Sequence, residues 1–227
     1  DLHSFPTRRS SDLPGLRNTR ALEELLDVIA STVGSLTNPS KISRAFKSVT
    51  GMTIDPETVS NYIGYLSDAF LLERAKRYNV RGRHYIGTPH KYYFTDLGLR
   101  NARLGFRQVE QTHLMENAIY NELRGRGYVV DVGMVQVSER DGNGKARRRQ
   151  LEVDFVCNRG SKRVYLQSAY DIPDAEKLAK SASIDKIDDS LKKVIVVGRP
   201  VERHYGKTGV LMLGLYDLLL DPTSLKL

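Results

Sequence analysis

The chain has one cysteine, Cys157, among its 227 residues. One thiol makes no intramolecular disulfide and no zinc cluster, so a disulfide-stapled scaffold and a Cys-rich metal fold are both excluded. The lone thiol fits a reducing compartment, and a cytoplasmic location is expected. No apolar run approaches the roughly 18–20 residues that a membrane-crossing helix needs, so no membrane partner is expected. The first residues lack the apolar stretch of a secretory signal. The five histidines (His3, His84, His90, His113 and His204) are scattered without metal-ligand spacing. There is no Gly-x-Ser-x-Gly nucleophile elbow and no internal repeat.

What is present suits a folded, basic protein. Hydrophobic residues make up 40%, enough for a sizeable core, and 35 Lys and Arg against 27 Asp and Glu leave a net charge of +8. Residues 1–13, DLHSFPTRRSSDL, show neither helical nor strand periodicity. They read as a disordered or non-native leader and resemble translated sequencing-adapter sequence.

Residues 14–107 read as a first domain. Leu22, Leu25, Leu26, Ile29 and Val33 form one helical face over 20–34. A second helix follows Asn38-Pro39-Ser40, with Ile42, Ala45, Phe46 and Val49 on its inner face. The third has Asp55 as N-cap and Pro56 in its first turn, with Val59, Tyr62, Ile63, Leu66 and Phe70 as its apolar stripe. Strands over 71–78 and 84–94 then flank Asn79-Val80-Arg81-Gly82-Arg83. Three helices and a hairpin predict a winged helix-turn-helix.

Residues 108–227 change character. A helix is expected over 109–125 and strands near 129–137, 150–157, 163–169, 193–197 and 209–213. A helix over 174–183 separates the third and fourth strands, and 138–149 reads as a polar loop. The fold class is α+β: a winged helix followed by a mixed α/β domain.

The charge is concentrated. Residues 74–107 hold nine Lys or Arg and one acid, Asp96, with Tyr78, Tyr85, Tyr92, Tyr93 and Phe94 interleaved. A basic hairpin beside a helix-turn-helix is the electrostatic footprint of a DNA or RNA binder. Ser60 and Asn61 on the third helix, with Arg77, Arg81, Arg83 and Lys91, are the candidate contacts. No Lys or Arg lies on that helix, which argues against sequence-specific base reading. The same charges serve equally as a solvated face or as a surface packed on another domain or protein partner.

A second constellation is acidic. Glu116 lies on or beside the apolar face of the 109–125 helix, where a carboxylate wants a partner. In Leu151-Glu152-Val153-Asp154-Phe155, alternation puts Glu152 and Asp154 on one face and Leu151, Val153 and Phe155 on the other. On the next strand Gln167 and Ala169 share a face. A helix Glu, a strand Asp and a third polar position next door is the arrangement of an Mg²⁺-dependent nuclease. Here the third position is the neutral Gln167, and Ala169 stands where an assisting lysine is needed. Glu116, Glu152, Asp154 and Gln167 therefore read as a degenerate site, and no catalysis and no metal or other cofactor is expected in this chain.

The strings VSNYIGYLSDAFLLERAKRYNVRG, KYYFTDLGLRNARLG, HLMENAIYNEL, LEVDFV and VYLQSAY together resemble the C-terminal half of prokaryotic AAA-plus ATP-binding proteins, over about residues 20–220. The resemblance implies an upstream ATPase domain that binds ATP and Mg²⁺, then a winged helix, then a restriction-endonuclease-like (PD-(D/E)XK-like) domain of unknown function. It implies that this chain is a non-catalytic binding region partnered with that ATPase. The alternatives are an Mg²⁺-dependent nuclease and a packing or oligomerisation module. The Walker-like string from Gly198 to Gly206-Lys207-Thr208 has seven intervening residues where a phosphate loop has four, and it precedes a strand rather than a helix. It reads as a loop.

Overall fold

The computed structural model describes residues 19–107, 110–140, 146–173, 184, 187 and 189–226. The leader 1–13 and the helix expected over 174–183 lie outside them. Local signals set the first elements. Helix α1 spans Thr19–Ser31 and buries Leu25, Leu26, Val28 and Ile29. Helix α2 spans Pro39–Thr50; the Asn38 side chain accepts from the Lys41 N–H at 2.8 Å, and Gly51 ends the helix at φ 73°. Helix α3, Pro56–Asp68, is capped by Asp55, which accepts from the Thr58 N–H at 2.8 Å. Two expected core residues fall outside: Val49 is exposed, and Phe70 lies beyond the end of α3, exposed as well.

Strands β1 (Leu72–Asn79) and β2 (His84–Phe94) form the expected hairpin. Helix α4 (Leu97–Arg103) was not legible as a separate element, although Asp96 caps it by accepting from the Leu99 N–H. Helix α5 spans Gln111–Gly125. Strands β3 (Val129–Arg140), β4 (Ala146–Arg159), β5 (Lys162–Ala169) and β6 (Lys192–Val197) follow. The short β7 (His204–Tyr205), β8 (Leu211–Gly214) and α6 (Leu215–Leu220) close the chain. The expected 138–149 loop is shorter than read, because β3 and β4 pair as far as Arg140 and Ala146.

Among the described residues, eight strands form one mixed sheet in the order β2-β1-β3-β4-β5-β6-β8-β7. The hairpin joins it through parallel pairing of Arg77–Asn79 with Val132–Met134. One core cluster runs from Ala21 to Leu225. The expected boundary near residue 107 therefore divides neither the sheet nor the core. Tyr93, Tyr120 and Phe155 meet at its centre, the first two stacked with ring centroids 4.2 Å apart.

A bulge in β4 decides the faces. Asp131 pairs with Val156 and Gly133 with Val153, so Asp154 and Phe155 together oppose Val132. Val153 and Val156 consequently pack in one cluster, while Phe155 lies in the other with α5. Phe155 thus leaves the face of Val153, correcting the strict alternation expected here. Gly133 makes room for this arrangement: a Cβ there would sit 2.8 Å from Val156 Cγ2 and 3.0 Å from Val153 Cβ. Gly133→Ala is expected to destabilise the protein by about 1–2 kcal/mol through overpacking. Urea unfolding checks this; an unchanged midpoint would show that the bulge tolerates the methyl.

Candidate functional site

Three elements bring charged groups to one point beneath α5. Glu116 sits on the buried face of α5, between Met115 and Ile119. On β2, Lys91 and Tyr93 are two residues apart and share a face. On β4, Asp154 lies in the bulge and Glu152 two residues before it. Lys91 Nζ lies 2.8 Å from Glu116 Oε1 and 2.7 Å from Glu152 Oε1. The Tyr93 hydroxyl donates to the same Glu116 oxygen at 2.5 Å. Asp154 Oδ2 accepts from the Ser168 N–H at 2.8 Å and from its hydroxyl at 2.7 Å. Gly34, at φ 72°, brings the loop after α1 close to Glu116.

Lys91 is only 4% exposed. Burial alone would lower its pKa; the surrounding Glu116, Asp154 and Glu152 overcome this and hold the ammonium above its ordinary range. Burial and the nearby Asp154 push the Glu116 carboxyl up to about 7, against the opposing pull of Lys91. Burial, then Glu116, raises the Tyr93 hydroxyl well above its ordinary value, so it stays a donor.

The acidic positions come together as read, with two changes. Gln167 is not among them. It shares strand parity with Tyr165 and Ala169, which pack on the face opposite Leu166 and α5. Its Oε1 is buried with no hydrogen-bond partner among the described residues. Ser168 meets Asp154 instead. The second change is Lys91, whose expected role as a nucleic-acid contact is corrected by its burial. No signal in the sequence sets it apart from the other cations of the basic run. Among the described residues, no group of three or more His, Cys, Asp or Glu side chains is placed to hold a metal ion. The cation seated between Glu116 and Glu152 is the protein's own ammonium, so the donor set does not fit Mg²⁺.

The rest of the basic run divides sharply. Arg77 is buried, with Nη2 3.4 Å from Gln150 Oε1, and this corrects its expected surface role. Arg100 is buried and donates to the Ala30 carbonyl at 2.9 Å. Arg103 pairs with Asp27 at 2.8 Å. Arg74, Lys76, Arg81, Arg83 and Arg107 are exposed, as are Ser60 and Asn61 on α3. Cys157 is fully buried, and burial pushes its thiol far up, as suits a small core residue. The Gly206-Lys207-Thr208 string turns between β7 and β8, so a strand rather than a helix follows it directly.

Residues 7–110 match the family model described as Domain of unknown function (DUF8612). An uncharacterized protein of Haemophilus influenzae is 33% identical over 189 residues, covering 83% of this chain and 43% of that protein. The uncharacterized protein MJ1544 of Methanocaldococcus jannaschii is 24% identical over 177 residues, covering 78% of this chain and 37% of its own length. This chain therefore spans less than half the length of either relative. The crystal structure of protein VC1899 from Vibrio cholerae overlays 89% of this chain and 55% of its own at 13% identity, with a TM-score of 0.31, too low to equate the folds. No helix among the described residues is long and apolar enough to cross a membrane. Residues 7–110 are thus similar to a domain of unknown function, and the chain as a whole is similar to part of two longer proteins, one of H. influenzae and one of M. jannaschii.

Proposed function

We propose that this chain is the non-catalytic binding region of a longer ATP-binding protein of the cytoplasm. In this reading its helix-and-hairpin half is a winged helix that contacts nucleic acid, and its second half keeps an endonuclease-like frame without the chemistry. The observation that carries the reading is the partition of the basic run. Lys91 turns inward and neutralises the acidic cluster, while Arg74, Lys76, Arg81, Arg83 and Arg107 turn outward. Three helices followed by a hairpin support the winged-helix part. Helix α5, the antiparallel run β3-β4-β5 and a parallel β6 support the endonuclease-like part. The length of the two relatives beyond the matched segment leaves room in them for a further domain such as an ATPase.

A closed acidic cluster cannot activate water through Mg²⁺ while the lysine holds its place, because the same oxygens would have to bind both cations. The exposed arginines and lysine instead suit phosphate contacts, which position a nucleic acid without reading its bases. A labelled DNA duplex should bind with strong salt dependence. Replacing Arg74, Lys76, Arg81 and Arg83 together by Ala should weaken it and flatten the salt slope, each lost phosphate contact removing about 0.9 from it. With Mg²⁺ or Mn²⁺, wild type and Asp154→Ala should show the same background cleavage. Absence of binding at low salt would favour a packing module. Cleavage abolished by Asp154→Ala would establish a nuclease.

A further inference from the structure

A groove of about 480 Å³ lies between α3 and β1, lined by Ser60, Gly64, Ser67, Phe70, Arg74 and Lys76 among others. Phe70 stands at its rim with its side chain exposed, and its backbone is left-handed at φ 57°. That conformation is costly for a bulky residue, roughly 1–2 kcal/mol, and Gly or Asn would adopt it more cheaply. The backbone is held there from both sides. The Phe70 N–H donates to the Ser67 carbonyl at 3.0 Å, and the Thr95 hydroxyl donates to the Phe70 carbonyl at 2.6 Å. The ring itself contributes no core packing, so the strain presents an aromatic face to solvent.

The surroundings say what such a face would meet. Arg74 and Lys76 are exposed along the groove. Ser60 and Ser67 add hydroxyls from α3. Gly64 leaves the wall open, with no heavy atom within 4 Å of where a Cβ would be. Of the two acids lining the groove, Glu73 is engaged by Arg124 at 2.7 Å and by the Tyr120 hydroxyl at 3.0 Å. Asp68 is exposed. An aromatic platform beside two cations is the chemistry of an unpaired nucleotide: the base stacks on the ring and its phosphates meet the cations. An acidic peptide would use the cations but leave the ring idle.

We propose that the α3–β1 groove holds an unpaired nucleotide of a single strand, its base stacked on Phe70 and its phosphates on Arg74 and Lys76. The proposal rests on the nucleic-acid reading above and adds strandedness to it. The probe is a fluorescein-labelled single-stranded oligothymidylate at low salt, with a duplex of the same length alongside, read by fluorescence anisotropy. Phe70→Ala should weaken single-strand binding by roughly 5- to 160-fold, the range that follows from removing one base-stacking aromatic. Phe70→Tyr should retain it. Gly64→Gln should weaken it as well, by filling the groove at an open helix position that the fold tolerates. Asp68→Asn should tighten it. Duplex binding through Arg81 and Arg83 should be unchanged by Phe70→Ala and Gly64→Gln. Single-strand binding that survives both of those variants would overturn the groove proposal while leaving the broader reading standing. No binding of either probe would overturn both. Binding of polyglutamate that is lost when Arg74 and Lys76 are replaced by Ala, with oligothymidylate binding unaffected by Phe70→Ala, would assign the groove to an acidic peptide and overturn the proposal.

Discussion

Lys91→Met is expected to destabilise the protein by about 3–5 kcal/mol, since removing one partner leaves buried charge uncompensated. Methionine keeps the apolar stem of lysine as far as Cε, so the loss measures chiefly the ammonium rather than the packing of the stem. Lys91 bonds Glu116 at 2.8 Å and Glu152 at 2.7 Å, and Asp154 adds to the field around it. Glu152 is partly exposed, with 31% of its side chain accessible, so water screens that arm; the Glu116 arm, with 10%, carries most of the cost. Adding Glu116→Gln to Lys91→Met should recover part of the loss, because the unpaired carboxylate is then gone. Urea unfolding of wild type, both single variants and the double gives the coupling directly. A Lys91→Met protein as stable as wild type would mean that the cluster is solvated and open.

The pH profile of stability should carry the signature of Glu116. Its carboxyl is raised from 4.5 to about 7, chiefly by burial and by Asp154. The folded protein therefore keeps a proton that the unfolded chain releases between these values. The contribution is fully present below pH 4.5 and is lost as pH rises through 7. Relative to Glu116→Gln, which cannot titrate, wild type should lose up to about 3 kcal/mol between those limits, at 1.36 kcal/mol for each pKa unit. Lys91 stays charged throughout this window, since its own shift is upward. Melting temperatures of the two proteins measured from pH 4.5 to 8 check the sign. Parallel curves would show that Glu116 titrates as it does in the unfolded chain.

The legible parts of this protein are those with local causes. Asn38 and Asp55 cap their helices through bonds three residues away in sequence, and the periodic apolar positions of α1, α3 and α5 name their buried faces. The acidic constellation was legible as far as residue type, because a Glu on an apolar helix face needs a partner wherever the chain goes. Its partner was not. Lys91 lay in a run of nine basic residues, and nothing in the run separates a cation that turns inward from one that meets solvent.

Sequence alone determined the helix starts, the hairpin, the buried thiol and the concentration of positive charge, since caps, turns and apolar periodicity act within a few residues. Tertiary structure decided which cation closes the acidic cluster and which strand positions face it. The β4 bulge moves Phe155 to the face of Asp154, and Gly133 gives it room. Alternation on β5 turns Gln167 away and leaves Ser168 to hold Asp154. These outcomes depend on contacts between distant segments: β2 supplies the ammonium, α5 and β4 supply the carboxylates, and only burial in common makes them one site.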